Sequence, residues 1–249
     1  MDLRIATLNL EQDQKCWELR RELIAAQLAE LSPDLWALNE IHIPTQTGRW
    51  LQRAAAERMR ASYALIQQSK ADEESRTQAE GLLTRYTVVE SSSLDYGCHN
   101  CVAQVARFEI EGKFLDLYVT HLIAAYVKDY ARQYQVAQLL DWIRSRHDAA
   151  FKVVCGDFNA TLDQPSIRLM LEAFRPTQNQ PTAFTPLQEP GGSPTHPDWE
   201  RFDRCIDYIW IDESVKVKAS GLCFNKPAPD NPMLWPSDHV GVWADLEFS

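Results

Sequence analysis

The 249-residue sequence predicts an α/β (α+β) fold: two largely antiparallel or mixed β-sheets packed together, with helices over both outer faces. Three observations carry this expectation. Strand-like runs outnumber helical ones. Adjacent strands are joined by short turns, as at Glu111-Gly112-Lys113. Helical periodicity recurs in both halves of the chain, between groups of strands.

The chain opens on a strand over residues 3–10. A helix follows, because Cys16, Leu19, Leu23, Ile24, Gln27, Leu28 and Leu31 share one face at three-to-four spacing. Ser32-Pro33 ends it, since proline disfavours the helical state of the residue before it. Residues 34–40 read as a buried strand and the alanine-rich residues 49–60 as a helix. Residues 63–67, 81–83, 86–89, 102–110 and 114–121 read as strands. Residues 129–146 are predicted helical, with Tyr130, Tyr134, Ala137, Leu140 and Ile143 on the inner face. A short apolar strand at 151–155 and a helix at 166–174 follow. Residues 175–199, rich in proline, threonine and glycine, form a long ordered loop. Strands at 205–211, 215–219 and 241–248 close the chain.

Hydrophobic residues make up 45% and charged residues 24%, the balance of a soluble globular protein with room for a substantial core. The net charge of -10 argues against a protein whose main work is coating nucleic acid, which requires a basic stripe. It leaves phosphate substrates open, because a bound divalent ion supplies the missing positive charge. The opening MDLRIATLNL has no signal-peptide pattern, and no apolar run approaches the roughly 18 residues of a membrane span. The expected location is cytoplasmic. Of six cysteines only Cys98 and Cys101 form a CxxC pair, and a zinc ribbon needs a second pair. That pair follows the turn-like Asp95-Tyr96-Gly97 and does not open a helix, so all six read as free thiols, with Cys155 and Cys205 in the core.

Polar and acidic residues stand where apolar runs stop. These are Asn9 in Thr7-Leu8-Asn9-Leu10-Glu11, Glu40 in Leu38-Asn39-Glu40, and His121 in Val119-Thr120-His121. Asp157 and Asn159 lie in Gly156-Asp157-Phe158-Asn159, and Asp238 and His239 in Ser237-Asp238-His239. Singly, each is most simply a turn former or cap. Asp207 departs from that reading, because it interrupts the apolar run from Cys205 to Ile211 and a buried carboxylate needs a partner. Strand ends can gather residues distant in sequence, and carboxylate and amide oxygens suit a hard cation such as Mg²⁺.

Together these segments resemble the endonuclease/exonuclease/phosphatase superfamily, with the GDFN and SDH segments as the most specific marks. The resemblance runs from Thr7 to His239 with the motifs in the family's order, and implies a single domain over residues 1–249. It implies a four-layer sandwich, two mixed sheets flanked by helices, with one cleft at the sheet edges. It further implies a phosphoesterase using Mg²⁺, or Mn²⁺. Glu40 matches the principal metal ligand and Asn9 the asparagine supporting it. Asp157 and Asn159 match the pair that positions the attacking water and the phosphate, and Asp238 a further acid at the metal site. His239 matches the histidine at the scissile phosphate, Asp207 the acid orienting it, and His121 the second histidine of the nuclease and sphingomyelinase branches. Two positions depart from the pattern: Asn39 stands where many members have glutamine, and Glu11 where some have aspartate.

The expected substrate is a nucleic-acid or nucleotide-like phosphodiester. A phosphomonoester or lipid-headgroup ester is the alternative, and a scaffold without catalysis the least favoured, since every ligand position is retained. Specificity is expected from loops at residues 69–80, 122–128 and 175–200; Trp199 and Trp235 are candidates to stack a base or cover a lipid headgroup, against the simpler and favoured reading that they pack loops onto the body. Arg201 and Arg204 are the nearest candidates for extra phosphate contacts. No protein partner is indicated.

Overall fold

The computed structural model describes residues 1–70, 77–124 and 127–249. The first half of the chain forms β1 (Asp2–Asn9), α1 (Trp17–Leu31), β2 (Leu35–His42), α2 (Thr47–Met59), β3 (Ala64–Ser69), β4 (Gln78–Thr84), β5 (Glu90–Asp95), β6 (Val102–Ile110) and β7 (Lys113–His121). There follow α3 (Asp129–Ser145), β8 (Phe151–Asp157), α4 (Pro165–Leu171), β9 (Arg175–Pro176), β10 (Asp207–Ile211), β11 (Val215–Cys223) and β12 (Gly241–Phe248). The strands make two six-stranded sheets, in the orders β11-β12-β1-β2-β4-β3 and β5-β6-β7-β8-β10-β9. Both are mixed: β1/β2 and β7/β8 are parallel pairs, and the other neighbours run antiparallel. Each parallel pair is joined by a crossover containing a helix, α1 or α3.

Alternation of side chains along the strands divides the apolar residues into layers. Ile5, Leu35 and Leu246 of the first sheet meet Phe108, Leu117, Val153 and Ile209 of the second in the central core. Leu8, Trp36 and Leu38 face outward onto Ile24 and Leu28 of α1 and Leu51 of α2. Tyr118, Val154 and Trp210 pack on Leu139 and Ile143 of α3 and Ile167 of α4. The result is the four-layer sandwich the sequence predicts. Glu111 (φ 51°) and Gly112 (φ 78°) form the tight turn between Ile110 and Lys113, both left-handed as a two-residue hairpin requires.

Several local expectations are corrected. Residues 86–89 are not a strand; the strand is β5, whose serine-rich residues are mostly exposed at a sheet edge and so carry no apolar alternation. Residues 78–80, expected in a loop, belong to β4. Leu19 of α1 is 54% exposed, and Arg20 is buried on that helix in its place. On α3, Tyr130 and Tyr134 are 69% and 57% exposed. The face is rotated because Arg132 turns inward, donating to the carbonyls of Ile123, Ala124 and Val127. Within the loops expected at 69–80 and 122–128, residues 71–76 and 125–126 lie outside the described residues. Among the described residues no helix is long and apolar enough to cross a membrane.

Candidate active site

The carboxyl ends of the two parallel strand pairs meet at one edge of the sandwich. β1 ends at Asn9 beside Asn39 of β2, and β7 ends at His121 beside Asp157 of β8. β10 starts at the same edge, with Asp207 opposite Asp157. β12 is antiparallel to β1, so Asp238 and His239 enter it there. A cleft of about 700 Å³ is lined by Asn9, Glu40, His121, Asp157, Asn159, Asp238 and His239, with Asp207 buried beside His239. All eight sequence-predicted positions are therefore brought together.

The backbone is adapted to this crowding. The β2/β4 register shifts between Leu38 and Ile41, and Glu40 is left-handed (φ 59°). Such a bulge re-aims side chains that a regular strand would send to opposite faces. Asn39 then bridges the sheets: its Oδ1 accepts the Asp157 N–H (2.9 Å) and its Nδ2 donates to Thr120 O (3.0 Å) and Glu80 Oε2 (2.5 Å). The shorter amide thus serves where glutamine is commoner. Gly156 (φ 136°) precedes Asp157, and a Cβ there would stand 1.9 Å from the Thr120 carbonyl oxygen, so only glycine fits. The Asn159 N–H closes onto Asp157 Oδ1 (2.7 Å), an Asx turn that fixes the carboxylate.

Two histidines, each backed by a carboxylate, flank Asp157. His239 Nδ1 pairs with Asp207 Oδ2 (2.9 Å), and its Nε2 lies 4.0 Å from Asp157 Oδ2. Burial opposes the charge on His239, but the Asp207 carboxylate, with Asp238 and Asp157, outweighs it and keeps the proton on the ring. Thr182 Oγ1 accepts the N–H groups of Ile206 and Asp207 (3.1 Å each), locking the start of β10. On the other side, His121 Nδ1 faces Glu80 Oε1 at 3.6 Å, and its Nε2 lies 3.1 Å from Asn159 Nδ2 and 3.6 Å from Asp157 Oδ2. Burial again opposes the imidazolium, while Glu80 and Asp157 raise the His121 pKa overall. Sequence reasoning missed Glu80. No interrupted apolar run marks it, because Glu80 follows the polar residues Thr77-Gln78 and a single alanine, and only its contact with His121 gives it a place in the site.

Asn9 Nδ2 donates to both Glu40 Oε1 (3.2 Å) and Asp157 Oδ2 (3.1 Å), while its Oδ1 accepts the Glu11 N–H (3.0 Å). Glu11 lines the cleft and pairs with the fully buried Arg20 (3.0 Å), which also donates to Leu10 O and Pro236 O (2.9 Å each). Glu11 is pushed up to about 7: burial is the main cause, Arg20 opposes it, and Asp238 and Glu40 add to the rise. Arg20 is thus a second residue that sequence reasoning missed, tying α1 to the strand-end loops. Burial also raises the Glu40 carboxyl, His121 pulls it back and Asp238 adds to the rise. Buried oxygen donors carrying this much like charge fit a hard divalent cation. Asp157, Asp207 and His239, all buried, offer ligand atoms within 4.8 Å of one another and could hold a metal ion, but only in place of the proton that His239 shares with Asp207.

The expected loops reach this site unevenly. Phe184, His196 and Asp198 of the long loop line the cleft, as do Lys70 and Arg204. Trp199 and Trp235 are not among the described lining residues, and neither is Arg201. The Trp235 indole donates to Pro232 O (2.9 Å).

A model of the endonuclease/exonuclease/phosphatase family matches residues 6–239, spanning every strand-end motif above. The chain belongs to this family. It is accordingly a phosphoester hydrolase. Among solved structures, a family member from Bacteroides vulgatus superposes with a TM-score of 0.77 at 20% identity, covering 100% of both chains. D. rerio TDP2 complexed with a single-strand DNA product matches at 0.77 and 17%, covering 99% of each chain. A Bacteroides thetaiotaomicron mannosyl-6-phosphatase matches at 0.75 and 16%, covering 99% of this chain and 100% of the other. At such identities the likeness shows the fold. No curated protein matches the sequence significantly.

Proposed function

We propose that the chain is a single-domain, Mg²⁺-dependent phosphodiesterase (Mn²⁺ being the alternative ion) that hydrolyses nucleotide-like or nucleic-acid diesters by in-line attack of water. The observation that carries this reading is the arrangement of His121 and His239, each with its own carboxylate, on either side of Asp157. Glu40 and Asp238 would hold the ion, with Asn9 steadying Glu40 and with Asp157, Asn159 and His239 beside it. When bound, the ion draws charge off the phosphoryl oxygens and stabilises the leaving oxygen. Asp157, held by Asn9 and the Asn159 N–H, orients the water and takes its proton. His239, kept protonated by Asp207, and His121, backed by Glu80, donate to the phosphate oxygens as negative charge grows there, with the Asn159 amide beside His121. The Asp207 carboxylate fixes the His239 ring by its hydrogen bond before substrate arrives, while Glu80 acts on His121 through its charge at 3.6 Å.

One structural relative holds a single-strand DNA product and another is a mannosyl-6-phosphatase, so diester and monoester must be compared directly. The test is hydrolysis of bis-p-nitrophenyl phosphate and p-nitrophenyl phosphate with Mg²⁺, Mn²⁺ and EDTA. Metal-dependent cleavage of the diester is expected, with Asp157→Ala and His239→Ala each slower by more than about 100-fold. Near wild-type rates in either folded variant would sink the assignment, and preference for the monoester would replace it with a phosphatase.

A further inference from the structure

On the His239 side the cleft is walled by residues that the phosphate chemistry does not use. Phe184 packs edge-on against the His239 ring (centroids 5.2 Å apart, planes at 90°), and His196 stacks on Phe184 (3.5 Å, 13°). The Asp198 N–H donates to His196 Nδ1 (3.1 Å), so the neutral ring carries its proton on Nε2. Arg204 is ion-paired with Asp198 and lies 5.9 Å from the Phe184 ring centre. All four residues line the cleft.

Charge decides what such a wall can bind. Arg204 is neutralised by Asp198, and a neutral His196 adds a donor without adding charge. Across the cleft Lys15 is held by Asp13 (3.4 Å) and Glu11 (4.0 Å). Among the described lining residues, Lys70 is the one lysine or arginine without a carboxylate partner, and it donates to Gln78 Oε1 (2.5 Å). A second phosphate, or a run of them, calls for clustered unpaired cations and does not suit this surface. A purely apolar group would desolvate Asp198, Arg204 and the His196 N–H without replacing their hydrogen bonds, which is costly. A hydroxyl group both donates and accepts, matching Asp198 on one count and Arg204 and His196 on the other. The C–H face of a sugar also suits an aromatic surface backed by Phe184.

We propose that the wall of Phe184, His196, Asp198 and Arg204 is the subsite for a neutral, hydroxylated group, a sugar or polyol, ester-linked to the phosphate that is hydrolysed. This rests on the phosphoesterase reading and narrows it to compact substrates. It is tested with three p-nitrophenyl phosphodiesters that share one leaving group and differ in the second substituent: methyl, the 6-position of glucose, or the 5′-position of thymidine. For the wild type, kcat/KM for the glucose and thymidine esters should exceed that for the methyl ester by at least about tenfold, on the scale of a site built to bind hydroxyls. His196→Ala and the conservative Asp198→Asn should each bring that ratio down to about one, with thermal melting used to confirm that both fold. A ratio that survives both substitutions overturns the proposal. So does preference for the thymidine ester alone, which would make the wall a base-stacking surface. If no ester is cleaved above the Asp157→Ala blank, the phosphoesterase reading itself fails and the subsite falls with it.

Discussion

Asp207→Asn removes one charge from beside the cleft while nearly preserving shape. The Asp207 carboxylate pairs with His239 Nδ1 at 2.9 Å, and both side chains are buried. At that separation the charge–charge attraction has an upper value of about 6 kcal/mol for an effective dielectric near 20. Asparagine keeps a neutral hydrogen bond, so the expected loss is that of the charge assistance, about 2 kcal/mol. At about 1.4 kcal/mol per decade of rate, this is a fall of roughly 30-fold in kcat. KM should change little, because the ring's donation matters most as charge develops on the phosphate. The assay is steady-state hydrolysis of bis-p-nitrophenyl phosphate with Mg²⁺ by the wild type, Asp207→Asn, His239→Ala and the double variant. Since Asp207 is held to act only through His239, the double variant should be no slower than His239→Ala. A wild-type rate in Asp207→Asn, or a double variant whose loss multiplies the two single losses, would refute the reasoning.

Three further outcomes follow from the geometry. Gly156→Ala drives a Cβ against the Thr120 carbonyl oxygen and should lower the melting temperature by roughly 6–12 °C, the equivalent of about 3 kcal/mol; a change within about 2 °C would show that β7 and β8 can separate freely. Asp116 is fully buried between Arg107 (2.6 Å) and Arg146 (2.7 Å); burial alone would raise its carboxyl, but these hydrogen bonds hold it below the ordinary range. Its contribution should therefore be complete above about pH 4 and be lost as pH falls through the lower folded value, so Asp116→Asn, costing about 3 kcal/mol near neutrality, should converge with the wild type in acid urea titrations. A gap independent of pH would count against that pairing. Mg²⁺ at about 100 times its dissociation constant should stabilise the wild type by about 2.7 kcal/mol, and Glu40→Gln should abolish most of the resulting thermal shift; equal shifts in both would move the ion elsewhere.

The strand-end residues were legible in the sequence because each marks the point where an apolar run gives way to polar groups, and because the segments are short and local. Asn9, Glu40, His121 and Asp157 stood out this way and Asp207 by interrupting an apolar run, while their shared role came from the family resemblance; the hairpin at Glu111-Gly112 and the stop at Ser32, whose left-handed backbone caps α1, were legible locally. Residues whose role depends on a distant partner could not. Glu80 acquires its place from His121, 41 positions along the chain, and Arg20 from Glu11 and the Pro236 carbonyl. The inner face of α3 was misread because its periodicity permits more than one rotation, and only Arg132 meeting the carbonyls of residues 123, 124 and 127 chooses between them.

The sequence by itself determined the pattern of strands and helices and the chemical type of most site residues, since both are written in hydrophobic period and in residue identity at strand ends. Only the tertiary structure decided which carboxylate backs which histidine, that Asn39 ties one sheet to the other, and that Phe184, His196, Asp198 and Arg204 form one wall of the cleft. These are contacts between segments far apart in the chain. Their geometry follows from the register of two packed sheets, which no local stretch of sequence contains.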